Sequence, residues 1–436
     1  MDNAASLPSS PGSAGPRSRW NPLQRTEVGL LLAIVVVIVL TGLLDPQHTY
    51  FTNPRYSAIN ILRQTALLGI FALGSAIVII AGGIDLSSGS MIAFSGTTCA
   101  TIMVLLAPEA MEHTRPLGTG VIVVAILGTL LVGVLIGSLH AWLITVVGLP
   151  PFVATLASLV GLRSLARAIT EFITAQCYST RSPSSQIQIS DERFCYLAQS
   201  VWIPVLTFVV VAVLCWLVMS RTVAGRHLHA LGGNEQAARL SGIHTNRLKW
   251  LAYCISAVLA SVAGIFYIGD QTVADPQTLG ISYELNAIAA AVVGGCSLAG
   301  GVGTMPGTVL GTLFLITVID AVSKIIKAGA DTYQGLIVGI VVVFAVAFTQ
   351  WRQATRQGMR FFAGPLGVVA IINLTLLVGV LGALVGQKTG ANPGAVGGIA
   401  GLATLVLLVL ARIAEGRSAP DRIPPADPPT DKGGAR

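Results

Sequence analysis

Residues 221–249 read RTVAGRHLHALGGNEQAARLSGIHTNRLK, the one long polar passage between strongly apolar segments. Arg221, Arg226, Arg239, Arg247 and Lys249 stand in it against a single acid, Glu235. A basic loop between membrane spans stays on the cytoplasmic side, because basic residues resist translocation. Within it, LGGNEQAARLSGI reads as a short helix punctuated at both ends. Gly232 and Gly233 permit a sharp turn, and Asn234 suits an N-cap. Glu235 complements the positive end of the helix dipole. Gln236 to Leu240 are good helix formers, and Gly242 ends the run. Such a helix either closes a surface loop or serves as a docking knob for a soluble partner.

The chain around it is that of a membrane protein. Hydrophobic residues make up 53% and charged residues 10%, where a soluble domain is near a quarter charged. The net charge of +7 sits largely in loops and tails, which points to membrane orientation and away from nucleic acid. Residues 1–26 and 414–436, rich in Pro, Gly, Ser and charge, read as disordered tails. No apolar core lies between Asp2 and Arg19, so the first apolar run is a span and not a cleavable signal.

Largely apolar runs mark the crossings, where a full span needs about 20 residues. They fall at 28–44, 64–84, 86–108, 117–147, 152–173, 198–219, 250–269, 285–295, 307–326 and 332–350. Two further runs follow, at 361–386 and 394–411. Starting from a cytoplasmic N-terminus, this count places all four basic stretches on one side: the N-terminal tail, 221–249, 352–360 and Arg412 to Arg417. The fold class is therefore an all-α polytopic membrane protein. The eighth and ninth runs are divided by GGCSLAGGVGTMPG, and Gly-rich segments of this kind are either tightly packed or re-entrant.

Several polar residues interrupt the apolar runs. Asp85 is the only charge between two of them, so it must face a partner, a cavity or the interface; Asp85 or Ser87 either caps the third span or gates a path. Arg163, Arg167 and Glu171, spaced by four, share one helix face, as a seam between helices or as a polar stripe. Asp320 and Lys324, also four apart, suit a neutralising pair. Asn60, Gln64 and Thr65 carry the amide and hydroxyl groups that bind sugar hydroxyls, while Arg63 beside them suits headgroup anchoring. GGIDLSSG and GGCSLAGG share GGxxLxxG, the trace of a duplication or chance in a Gly-rich chain. Cys99, Cys215, Cys254 and Cys296 fall in or beside spans as packing residues. Cys177 and Cys195, in a polar loop placed outside, are candidates for a disulfide. No GxxxxGK[ST] loop occurs, so any ATP is hydrolysed by another chain.

Three stretches in order resemble one family: AGGIDLSSGS at 81–90, GRHLHALGGNEQAARLSGI within the basic loop, and YELNAIAAAVVGGCSLAGGVGTMPGTVLG at 283–311. They are similar to the permease subunits of ribose/xylose-type sugar ABC importers. The family usually has a hydrophobic residue at Ser88, and Arg167 and Glu171 do not clearly match it, whereas Arg163 does. The resemblance implies a transmembrane permease domain over 27–351, with coupling loop 221–249, and leaves 352–413 as an extension of two extra spans. It implies no catalytic site, metal or cofactor on this chain. ATP and Mg belong to ATPase subunits that grip Leu231, Gly232, Gly233, Asn234, Glu235, Ala237, Ala238, Arg239 and Gly242. The other implied partners are an extracytoplasmic sugar-binding protein, a second permease copy and membrane lipid. SLAGGVG points to xylose among the sugars. The setting implied is a bacterial cytoplasmic (inner) membrane with both termini cytoplasmic. A secondary sugar carrier, or a permease for another small solute, is the alternative.

Overall fold

A computed structural model describes residues 26–45, 47–325, 364–389 and 391–418, with 335, 339 and 343. Helices α1 (Thr26–Leu44), α3 (Pro54–Ile80), α4 (Ser88–Leu106), α6 (Thr119–Thr145), α7 (Pro151–Cys177) and α9 (Trp202–Arg221) form the first half. Short helices α2 (Thr49–Thr52), α5 (Pro108–Glu112) and α8 (Glu192–Gln199) lie between them. The basic passage folds as α10 (Val223–Gly233) and α11 (Glu235–Leu240). Then come α12 (Thr245–Gln271), α13 (Tyr283–Val293), α14 (Met305–Ile325), α15 (Gly364–Thr389) and α16 (Pro393–Ser418). One two-stranded antiparallel pair, β1 (Ile187–Gln188) with β2 (Val273–Ala274), is the only sheet among the described residues. Ten of these helices are long and apolar enough to cross a membrane. The expected tenth span at 332–350, the basic stretch 352–360 and residues 1–25 and 419–436 of the tails lie outside the described residues, apart from the isolated positions above; residues 414–418, expected in the disordered tail, are the helical end of α16.

Helices α3, α4 and α12 are buried nearly all round and form the centre. In lipid, such helices gain little from the hydrophobic effect and hold together by close approach. Gly74 lies against the Ser256 backbone, where a Cβ would come within 2.8 Å of its Cα. The outer faces of α1, α6 and α9 expose Leu, Val and Trp side chains, as lipid-facing helices do. In α15 and α16, Gly382 approaches the Gly397 backbone in the same way.

The eighth run is not a full-length helix. Helix α13 has 11 residues, about 16 Å at 1.5 Å per residue, half the hydrocarbon core. The irregular backbone of 275–282 covers the remaining depth. Free carbonyls at membrane depth are costly, and Arg163 of α7 satisfies these. It donates through Nη1 to Pro276 O at 2.7 Å and to Leu279 O at 2.8 Å. The ninth run, by contrast, is a continuous helix, α14.

The end carrying α10 and α11 also holds the α6–α7 connection; we call it the basic end. At the opposite, far end lie β1, β2 and α8. There Asp320 binds Lys324 at 3.3 Å as the spacing predicts. It also accepts from Tyr50 Oη at 2.7 Å and Asn60 Nδ2 at 3.0 Å, which ties α14 to α2 and α3. Arg63 anchors in protein and not at headgroups, paired with Asp270 of α12 and donating to Ala198 O. The candidate disulfide is not formed. Cys177 and Cys195 are both free; Cys195 is buried and its thiol donates to Ile189 O at 3.6 Å.

Two measurements check this frame. Removing one partner of a buried ion pair costs about 3–5 kcal/mol; Asp320→Leu should therefore lower the unfolding midpoint in detergent, with Asp320→Leu/Lys324→Met recovering part of the loss. Burial and the neighbouring Asp191 charge both push the Cys195 thiol up. Iodoacetamide at neutral pH should accordingly modify the half-buried Cys177 before Cys195, as mass spectrometry of the two peptides would show.

Candidate functional site: a glycine junction behind an exposed helix

The α11 helix forms as its sequence dictates. Asn234 Oδ1 accepts the Ala237 N–H at 3.0 Å, and Gly242 takes the left-handed φ of +80° that ends the run. Lys249 at the start of α12 pairs with Glu235 at 2.7 Å and holds the helix in place. Within α11 only Ala238 is buried; Leu240 is 89% exposed. A six-residue helix with so little packing is not stable by itself. Its support lies behind it, where Leu228 and Leu231 of α10 are buried in the core.

Gly232 and Gly233 do not form the expected turn. Both are helical and close α10; the chain breaks at Asn234, whose backbone is extended. Gly232 is needed for a different reason. A Cβ there would run into Ile80 O and stand 2.5 Å from Gly301 N. Three backbone segments meet at this point: 80–82 after α3, 231–233 of α10, and 300–301 between α13 and α14. The Gly301 N–H donates to Ile80 O at 2.9 Å, and His229 Nδ1 lies 3.2 Å from Gly301 O. Gly82, Gly300 and Gly301 all have positive φ, so side chains are barred both by space and by conformation. Gly233 has open space where its Cβ would be.

The two GGxxLxxG turns both reach this junction, with a shifted register. Helix α3 closes with Ala81 N–H to Ile77 O, Gly82 to Ile79 O and Gly83 to Val78 O. Helix α13 closes identically, with Gly294 to Ala290, Gly295 to Val292 and Cys296 to Ala291. Gly82 therefore corresponds to Gly295, one residue off the motif alignment. Left-handed glycine caps of this kind are common helix ends.

Beyond Gly82 the turn is tied in. Asp85, 3% exposed, accepts the Ser87 N–H at 2.9 Å and the Ser87 hydroxyl at 2.6 Å on Oδ1, and the Ser256 hydroxyl at 2.7 Å on Oδ2. Ile84 O accepts from Thr155 and Tyr253. Asp85 thus fastens the approach to α4 onto α12; Ser87 occupies the N-cap position but spends its hydroxyl on Asp85. A cleft of about 340 Å³ lies beside the junction, between Gly82, Ile144, Pro151, Glu235, Lys249 and Tyr253.

The other expected pathway residues are not brought together. Asn60 is engaged by Asp320, Thr65 is buried, and Gln64 is half-buried, all in the far half of α3. Arg163 lies midway along α7. Sequence reading also missed Glu284, in the first turn of α13, 8% exposed, with Oε2 against Gly89 and without a hydrogen-bond partner in the described structure. An acid flanking a long charge-free run was the available signal.

Residues 57–346 match the family model described as branched-chain amino acid transport system / permease component. The ribose import permease protein RbsC of Escherichia coli K12 is 33% identical over 313 residues, 72% of this chain and 90% of that protein. The Bacillus subtilis RbsC is 32% identical over 328 residues, 75% and 94%. The L-arabinose permease AraH of Azospirillum brasilense is 30% identical over 350 residues, 78% and 92%. No solved structure gives a significant match. Fold and comparisons thus define a multi-pass transport permease. The chain belongs to this family of ABC-transporter permease components.

A Cβ at Gly232 must displace backbone, whereas one at Gly233 meets nothing. Gly232→Ala should therefore accelerate tryptic cleavage after Arg239 and lower the unfolding midpoint; Gly233→Ala should leave both unchanged.

Proposed function

We propose that the chain is the membrane-spanning permease of an ABC importer that carries a monosaccharide of the ribose type across the bacterial cytoplasmic membrane. The basic end faces the cytoplasm, as its excess of Lys and Arg requires. ATPase subunits, which hold ATP and Mg, receive α11 in a cleft; a soluble sugar-binding protein docks at the far end; and a second copy completes the path. The observation that carries this reading is an exposed, capped and braced helix whose base is fused by backbone contacts to two core turns. A helix that only closed a loop would need no such base.

The junction supplies the mechanics. A pull on α11 moves Gly232, and Gly232 cannot slide without moving Ile80 to Gly82 and Gly300 to Gly301. Those segments lead into α4 and α14 and end α3 and α13, so one displacement tilts both halves of the core. Interfaces this tightly packed switch between discrete arrangements and do not deform continuously. The named substrates of the relatives, ribose, arabinose and galactose, support a monosaccharide. The SLAGGVG motif keeps xylose as the first sugar to assay.

The test is co-purification and uptake. Arg239→Glu reverses an exposed surface charge and Leu240→Asp removes the exposed anchor. Each should abolish retention of the ATPase and cut ATP-driven sugar uptake by about tenfold or more, as expected where an interface anchor is lost. Membrane level and unfolding midpoint should stay at parent values. Normal uptake and retention in both variants would remove the docking role.

A further inference from the structure

Arg167 and Glu171 of α7 pair at 2.7 Å, yet their side chains are 53% and 37% exposed. They lie 16 and 20 residues from Pro151 at the basic end, about 24 and 30 Å along a helix about 40 Å long. A hydrocarbon core of about 30 Å centred on that helix covers both positions. An exposed ion pair at this depth is costly against lipid, even with its charges balanced. Water or the polar surface of a partner, and not lipid, therefore suits this face.

The surroundings agree. Ser164, on the adjoining flank of α7, is exposed as well. The Gln277 amide lies against the Arg167 guanidinium, its oxygen 2.7 Å from Nη1 in the orientation that satisfies both groups. One turn below, Arg163 binds the carbonyls of the same 276–279 segment. Segment and helix thus present guanidinium, carboxylate, amide and hydroxyl groups on one wall. Leu165 and Phe172, about 100° further round α7, are exposed and apolar, as a lipid face is.

We propose that Ser164, Arg167 and Glu171 form the aqueous wall of the solute path and hydrogen-bond the vicinal hydroxyls of the passing sugar, setting which sugars cross. The proposal deepens the importer reading and, in its sugar contacts, rests on it. A fixed donor fork beside a carboxylate acceptor matches a pair of neighbouring hydroxyls, each of which both donates and accepts.

The test has two arms. In the first, Ser164→Cys and Leu165→Cys are made in a Cys177→Ser background of the full chain. Intact cells or sealed vesicles are treated with a membrane-impermeant maleimide. Ser164→Cys should react and Leu165→Cys should not; an inert Ser164→Cys overturns the proposal. In the second, the complete importer in proteoliposomes is assayed with labelled ribose, xylose, arabinose and galactose. Losing a charged hydrogen-bonding group should cut uptake by about tenfold in Arg167→Gln and Glu171→Gln. The ratios among the four sugars should shift. Unchanged uptake and ratios in both variants overturn the sugar contact. Labelling of Ser164→Cys in a parent complex that carries none of the four sugars retires the substrate reading and keeps the wet wall.

Discussion

The structure depends on a place where no side chain fits. At Gly232 the backbones of three segments touch, and the Gly301 N–H closes onto Ile80 O. Such contact transmits displacement without the slack that side chains introduce. Everything on the basic end is arranged to preserve it. Leu228 and Leu231 seat α10, Asp85 secures the turn after Gly82, and the Glu235–Lys249 pair keeps α11 projecting.

Asp85, Asp320 and Arg163 follow a single logic. Asp85 is satisfied by neutral hydroxyl and amide donors, Asp320 by a phenol, an amide and an ammonium, and Arg163 by carbonyls. Each joins segments far apart in the chain. In lipid, where apolar contact does little to select one helix neighbour over another, these specific bonds fix which helices meet and at what depth.

Much of this was legible in the sequence. Largely apolar runs of sufficient length gave the long helices, and the N-cap at Asn234 and the stop at Gly242 followed from local chemistry. The Asp320–Lys324 pair followed from helical spacing. What was not legible depended on distant partners. Composition cannot distinguish a glycine that turns from a glycine that admits another backbone, so Gly232 and Gly233 were read as a turn. Charge counting sees no difference between a whole crossing and a half-helix completed by irregular chain. The disulfide expectation at Cys177 and Cys195 took two thiols in one loop as neighbours, without knowing that one would be buried. The polar residues read together as a path lie at three separate levels because hydrogen-bonding capacity in sequence carries no depth.

The short α13 has a consequence for biogenesis. Eleven residues cannot be retained by a translocon as an independent membrane anchor. Its place in the membrane depends instead on packing against α3, α4 and α14, and on Arg163, which holds the carbonyls of the chain that leads into it.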